Sequence, residues 1–562
     1  MKYNKSLILT LGALLLLSNA NAQEDNNDKI TGTINAAGGY GTTAPWEGDI
    51  RLMLPLKSIR FAPFVSVKGI GNTSSNMLND LKYIYANNGN TFTSHEDLES
   101  NGTHLKAGFN TLLPTLNFGQ ININVTGEQL RKSTLGTLQE QLTATDGTLL
   151  SNYRWNVNMP DFKKDRLDAS ANYTYGNFRL GYSYTREKEY EAVDRYAKGG
   201  FGGMNFDEYH RTTDTRINEH RVSLAYDFHP AKAHLLTLGA NFEHADAERA
   251  HTQNTSPELE VEPTFNHKQQ TGAAHLAYRF GNRWIRAAAR VEYAFTYMKD
   301  NECSKHLNDV LPMAHLDWSV TQNDTLAVDY RMIIKRPDLE LLDPTREIGS
   351  HSIYYGNVEL EGIHINNLAL AYRMARGPVA FSTTFGCILV QDGFNAIWMQ
   401  KNNIQESTWQ NEGIRRAVSL TPQIRWQAAK GTTLNAKATL LWDKRIAEAI
   451  NMENQHWGIT TEIGLRQQLP WQLSLAVNGR YSDGNTLNLY SHEGRSYMAG
   501  TALTKTFLKK HTLTLSYEYM EHPEYIITQG AVIKGNPVGW NGFSHLRPGH
   551  ENTIRLSACF KI

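Results

Sequence analysis

From residue 31 to the C-terminus, apolar and polar positions alternate with a period of two, and no stretch sustains the period of 3.6 that an amphipathic helix needs. Between His511 and Met520, Leu513, Leu515, Tyr517 and Tyr519 share one face while Thr512, Thr514, Ser516 and Glu518 share the other, as successive side chains on a strand must. The C-terminal residues repeat this: Ile554, Leu556, Ala558, Phe560 and Ile562 alternate with Arg555, Ser557, Cys559 and Lys561. Phe178, Leu180, Tyr182 and Tyr184 alternate with Arg179, Gly181 and Ser183, and Val222, Leu224, Tyr226 and Phe228 with Arg221, Ser223, Ala225 and Asp227. One face of each strand is apolar and the other carries charge.

A soluble sandwich and a membrane barrel both produce this pattern, and connection lengths separate them. The alternation predicts about 22 strands, with 20 as the lower count, starting near residues 31, 48, 59, 104, 117, 166, 178, 219, 234, 269, 284, 311, 324, 363, 379, 413, 432, 457, 472, 495, 511 and 552. Their links alternate between ten short ones of two to four residues and eleven longer ones of seven to 34. Tight turns at one rim and long loops at the other are the layout of a bacterial outer-membrane barrel, and an even count returns both termini to the periplasmic side. Closure is required because a sheet edge left in hydrocarbon strands unpaired N–H and C=O groups, each costing several kcal/mol. Trp284, Trp318, Trp426, Trp442, Trp457 and Trp471 near strand ends suit interfacial girdles. The expected fold is therefore all-β, a closed antiparallel transmembrane barrel over residues 31–562.

The first 22 residues have a different composition. Lys2 and Lys5 precede an apolar run from Leu7 to Leu17, and Ala20-Asn21-Ala22 offers a small-residue cleavage site, which together predict a signal peptide followed by a short segment, residues 23–30. That run is the longest apolar stretch, too short for a helical span of ~20 residues. The 562 residues balance 56 Lys+Arg against 56 Asp+Glu, with no basic excess for binding nucleic acid phosphates. Cys303, Cys387 and Cys559 are too few and too scattered for a disulfide framework or a zinc site.

One stretch carries a family likeness. Arg336-Pro337, Leu342-Asp343-Pro344 and Gly356-Asn357 with Leu360 resemble the segment of Bacteroidetes-type TonB-dependent outer-membrane receptors in which an Arg-Pro, a Leu-x-Pro and a Gly-Asn-Pro-x-Leu-x-Pro precede a descending strand. Val358 stands where that family usually has Pro, and Gly362 lies near its second Pro. Gly38-Gly39-Tyr40-Gly41 and the terminal Cys559-Phe560-Lys561-Ile562 are similar to the family's first and last barrel strands. The resemblance implies a receptor barrel in the outer membrane, in contact with its lipid. Members of that family carry a plug and a TonB-engaging motif, for neither of which the sequence offers a segment, so the resemblance implies the receptor's barrel without its gate. The lumen is therefore expected to be filled or covered by loops at 70–103, 132–165, 186–218 and 521–551 folding inward or over the mouth, or by a separate plug or surface lipoprotein.

Chemistry is expected at two levels. Arg286, Arg290 and Glu292, Asp329 and Arg331, and Glu462 and Arg466 fall on lumen faces, where they either keep the wall hydrated as solvated ion pairs or act as a selectivity surface. In the outer loops, Tyr354 and Tyr355, Trp398 with Trp409, and Trp540 with Phe543 and His545 place aromatic faces beside polar groups, a composition suited to ligand binding or to packing between loops. Asp194, His210, Asp214 and His220 offer acid-base groups without a distinctive catalytic arrangement, so no catalytic residue is assigned and no enzymatic activity is expected. His234, His244, His251 and His267 lack ligand spacing, so neither a metal nor a cofactor is expected. The expected function is passage or capture of a solute at the cell surface. The alternatives are a porin-like diffusion channel constricted by its loops and a secreted all-β glycan-binding protein.

Overall fold

The computed structural model describes residues 31–40, 46–56, 59–71, 77–84, 89–115, 119–201, 208–254, 259–261, 263–301, 303–348, 352–401, 404–411, 413–448, 452–486, 489, 491–521, 524–527, 532–533, 536–537, 542–546 and 550–561. The leader and residues 23–30 lie outside this set. Among the described residues, 22 antiparallel strands close into one barrel. In chain order they are β1 Thr31–Tyr40, β2 Trp46–Leu56, β3 Ile59–Gly71, β4 Thr91–Thr115, β5 Gly119–Thr143, β6 Leu149–Tyr175, β7 Phe178–Phe201 and β8 Glu208–Ala231. Next come β9 His234–Asn254, β10 Phe265–Gly281, β11 Ile285–Lys299, β12 Ser304–Ser319, β13 Asp324–Lys335, β14 Ile363–Arg376 and β15 Val379–Gln391. The circuit is completed by β16 Ile414–Ala429, β17 Thr432–Ala447, β18 Met452–Leu469, β19 Leu473–Ser482, β20 Ser496–Phe507, β21 His511–Glu521 and β22 His550–Lys561. Closure is antiparallel pairing of β1 with β22, from Thr33 opposite Lys561 to Tyr40 opposite Ile554.

The outer face is the apolar one. Leu180, Tyr182, Leu224, Tyr226, Leu276, Val291, Leu316, Leu440, Val477, Leu515 and Leu556 are exposed, which in water would cost the hydrophobic free energy that burial normally recovers and in a bilayer does not. Between them along each strand lie the residues of the inner face. The tryptophans mark both edges of the apolar band. Trp284, Trp318, Trp426 and Trp471 stand exposed near the short-turn rim, while Trp457 is exposed toward the other end, its ring 6.3 Å from that of Trp442. Trp426 lies opposite Leu434 on β17; the eight steps from Leu434 to Trp442 span ~27 Å along the strand, or ~20 Å once tilted by ~45°. That matches the thickness of an outer-membrane apolar band.

All ten connections at the short-turn rim have two to four residues. The other rim differs from expectation. The segments 70–103, 132–165 and 186–218 are mostly strand: β4 begins at Thr91, β5 runs to Thr143, β6 begins at Leu149, β7 ends at Phe201 and β8 begins at Glu208. Those strands have 24 to 27 residues, more than twice the ~10 that cross the membrane, so their upper halves form a palisade above it. The β5–β6 link is only 144–148, closed by Ala144 N–H to Thr148 O at 2.8 Å, with Gly147 at φ 87° where a side chain would be strained. The described parts of these three segments therefore continue the wall upward and do not fold inward as free loops. Most of 521–551 lies outside the described residues or has undescribed side chains.

Candidate functional site

A different segment occupies the mouth. Pro337 cannot donate to a ladder, so β13 ends there, and the chain turns through the short helix α1, Leu339–Leu342. Leu342 and Leu360 are buried to 0% and 1% exposure and pack with Phe265 of β10 and Met298 of β11, flanked by Leu307, Leu341, Val358 and Trp409. Two backbone bonds tie the segment's ends together, Gly356 N–H to Asp343 O and Asn357 N–H to Leu341 O, both 2.7 Å. A Cβ at Gly356 would lie 2.5 Å from Asp343 O and 2.7 Å from Leu341 O. Gly356→Ala is therefore expected to weaken the segment's seating by about 1–3 kcal/mol, the range for overpacking, and limited proteolysis at Arg346 measures it.

Charged groups fasten the segment to the inner wall of β7, β8 and β9. His251 Nε2–H donates to Asp343 at 2.6 Å and its Nδ1 lies 3.2 Å from the Thr213 hydroxyl; both contacts are buried. Arg249 lies 3.4 Å from the same carboxylate, whose other oxygen accepts the Thr345 N–H at 3.0 Å. Burial works against ionisation of Asp343, but the hydrogen bond and charge of His251 and the bond from Thr345 outweigh it, and the carboxyl is held below the ordinary range. Arg211 bridges Glu191, at 3.2 Å, to Glu347 of the segment. Ile348 N–H reaches Gln253 at 3.3 Å.

Arg336 fills a break in the wall. The β12–β13 ladder stops at Met313 opposite Arg331, and above it the Arg336 guanidinium donates to Thr296, at 3.2 Å, and to Asp309. His364 takes the other Asp309 oxygen at 2.9 Å. The motif residues Arg336, Gly356 and Asn357 thus serve the shape of the insert. Pro337 is buried and Pro344 exposed.

Tyr354, Tyr355 and Trp409 are brought together here. A small sheet of Glu347–Ile348, Ser352–Tyr354, Phe394–Lys401 and Ile404–Asn411 carries them. Trp409 Nε1–H donates to the Tyr354 hydroxyl at 2.7 Å, Asn357 donates to Trp409 O at 2.9 Å, and the Arg346 guanidinium sits 5.6 Å from the Tyr355 ring. Burial raises the Tyr354 hydroxyl above its usual range, against the lowering effect of Trp409. Trp398 lies in this sheet opposite Ser407, but its side chain is outside the description, as are Trp540 and the side chains of Phe543 and His545 on Gly542–Leu546.

The wall residues alternate with outward ones. Arg286, Arg290 and Glu292 interleave with Val291 and Tyr293, Asp329 and Arg331 with Val328, and Glu462 and Arg466 with Ile463, each of these apolar neighbours being exposed. Arg290 pairs with Glu292, and Arg286 lies 3.4 Å from Asp317. The histidines are dispersed: His251 on Asp343, His267 on Asp300, His244 on Asp246 and His234 on Tyr278. His210 contacts Asp194, whereas Asp214 binds Arg216 and His220 meets Tyr182 at 2.9 Å.

One cluster went unread in the sequence. Leu98, Leu138, Tyr153, Trp155, Val157, Val193 and Tyr209 form a buried apolar group on the palisade, with Tyr153 and Trp155 stacked at 5.2 Å and Trp155 Nε1–H on Glu140 at 3.0 Å. The signal was the alternation of Tyr153, Trp155 and Val157 inside a segment taken for a loop.

Residues 175–519 match the outer membrane protein beta-barrel family. No sequence match is found among curated proteins. The fold is similar to that of the ferric yersiniabactin uptake receptor of Yersinia pestis, with a TM-score of 0.60 at 10% identity over 96% of this chain and 81% of that one. A ferric enterobactin receptor mutant from Pseudomonas aeruginosa gives 0.58 at 10% identity over 95% and 80%, and an iron transporter from Neisseria meningitidis 0.58 at 9% over 98% and 83%. At these identities the likeness is one of fold.

Proposed function

The chain belongs to the outer membrane protein beta-barrel family and resides in the outer membrane, and on that premise we propose that it takes up a solute at the cell surface, with residues 336–362 forming the constriction the solute meets first. The observation that carries this reading is the seating of that segment: an insert held by Arg211, Arg249 and His251 at one wall and by an apolar cluster below narrows the mouth while leaving the charged lumen beneath it. The named uptake receptors and transporters that share the fold support transport without supplying a solute.

A porin-like diffusion channel is the second reading, favoured by the 72% exposure of the Arg286 side chain in the lumen. Swelling of proteoliposomes in isotonic arabinose and raffinose separates the two. Slow arabinose entry, accelerated severalfold when residues 339–360 are replaced by a short Gly-Ser linker, is expected for a constricted uptake barrel. Arabinose entry that is equally fast in both proteins supports the diffusion channel, and no entry through either sinks passage altogether. A separate plug or surface lipoprotein remains the protein partner expected on this reading.

A further inference from the structure

The lower lumen is not electrically uniform. On β4 to β6 its inward positions near the short-turn rim are neutral, with Asn110 donating to Asn124 and Asn124 to Ser170 at 3.4 Å, and with Asn122 and Asn172 opposite one another. Eleven strands away, on β16 to β20, the corresponding wall is cationic. Gln423, Lys437, Glu462, Arg480 and Met498 lie in one cross-strand row, and around this row the wall opens into a recess of about 370 Å³ lined also by Asn435 and Asn478. The recess exists because Gly464 contributes no side chain at the level between Glu462 and Arg466.

Charge does not balance there. Lys437 lies 3.4 Å from Glu462, which accounts for the one acid of the recess. Arg480 lines the recess, and Arg425 and Arg466 stand on the same wall just to its short-turn side; all three are exposed, and among the described residues none has an acidic partner. Elsewhere on the lumen wall, cations such as Arg286 and Arg290 are matched by Asp317 and Glu292. Unmatched guanidiniums beside Lys437 and the amides of Gln423, Asn435 and Asn478 offer forked donors suited to planar carboxylates and to phosphate oxygens. A wall made only for hydration would gain as much from paired charges, and what sets this stretch apart is that its cations gather around one recess instead of standing singly.

We propose that the recess on β16 to β20 binds a small multivalent oxyanion, making the solute that passes this barrel an anion bearing carboxylate or phosphate groups. This rests on the uptake reading for its role, though binding itself does not.

Calorimetric titration of the detergent-solubilised protein at low salt with tricarballylate and with pyrophosphate tests it, with spermidine as the cationic control. Either anion is expected to bind, and which one binds more tightly distinguishes carboxylate from phosphate chemistry. Arg466→Gln with Arg480→Gln is expected to weaken binding at least tenfold. Glu462→Gln is expected to tighten it severalfold, a gain that a merely structural role for the residue would not give. Heat-modifiable gel mobility establishes that each variant is a folded barrel. Failure of both anions to bind, tighter binding of spermidine, or loss of affinity in Glu462→Gln overturns the proposal. Anion binding by a protein that admits no sugar in the swelling assay overturns the uptake reading alone, and sugar entry without anion binding overturns only the recess.

Discussion

Asp343→Ala is expected to release residues 336–362 from the wall and to speed tryptic cleavage after Arg346 by on the order of 100-fold, in a barrel whose strands stay folded. The Asp343 and His251 side chains are 2% and 3% exposed, and Arg249 shares the carboxylate. Removing one partner of a buried pair typically costs about 3–5 kcal/mol, because the other charge is left buried without compensation. That cost falls on the segment rather than on the barrel ladders, so local opening rises while global unfolding changes little. Arg346 is a suitable reporter: it is 57% exposed, yet held on both sides by Asp343 and by Glu347 on Arg211. Low pH should imitate the substitution. Because the Asp343 carboxyl is lowered in the folded protein, its stabilisation is fully present above the ordinary carboxylate value of about 3.9 and is lost as pH falls through the lower folded value. Cleavage by an acid-active protease is therefore expected to accelerate below about pH 4 in the wild type and, with respect to this group, to be flat in Asp343→Ala.

Leu224→Arg is expected to cost about 2–4 kcal/mol, the penalty for a cation at the lipid-facing midplane of a barrel, while Ser223→Arg costs under about 1 kcal/mol. Leu224 is 44% exposed on the outer face of β8, seven residues from the short-turn end of that strand at Ala231. Ser223 faces the lumen beside Gly181, which has no side chain to obstruct it. Urea unfolding in phospholipid vesicles, followed by tryptophan fluorescence, measures both. Equal costs at the two positions would remove the assignment of lipid and lumen faces, and with it the membrane barrel.

The barrel was legible because lipid imposes a strict alternation on every spanning strand. Leu180, Tyr182, Leu224 and Tyr226 betray their faces without any tertiary information, and Tyr-Gly-Asn at 175–177 betrays the turn that leads into β7. Above the membrane the constraint is lifted. Phe162-Lys163-Lys164-Asp165 sits in β6 with both faces wet and reads as loop, and register shifts between Asn158 and Phe162 and between Lys132 and Thr134 further break the period. The insert was half legible. Arg336, Gly356 and Asn357 stood out as a motif, but their partners Asp309, Asp343 and Trp409 lie at separations that no local pattern encodes. His251 illustrates the limit most plainly, since its partner Asp343 is 92 residues away.

The most direct test of the constricted barrel is single-channel conductance in a planar bilayer, comparing the refolded wild type with the protein in which a Gly-Ser linker replaces residues 339–360. A small or flickering wild-type conductance that becomes large and steady in the replacement is the predicted result. Identical conductances, large or absent, would contradict a mouth governed by this segment.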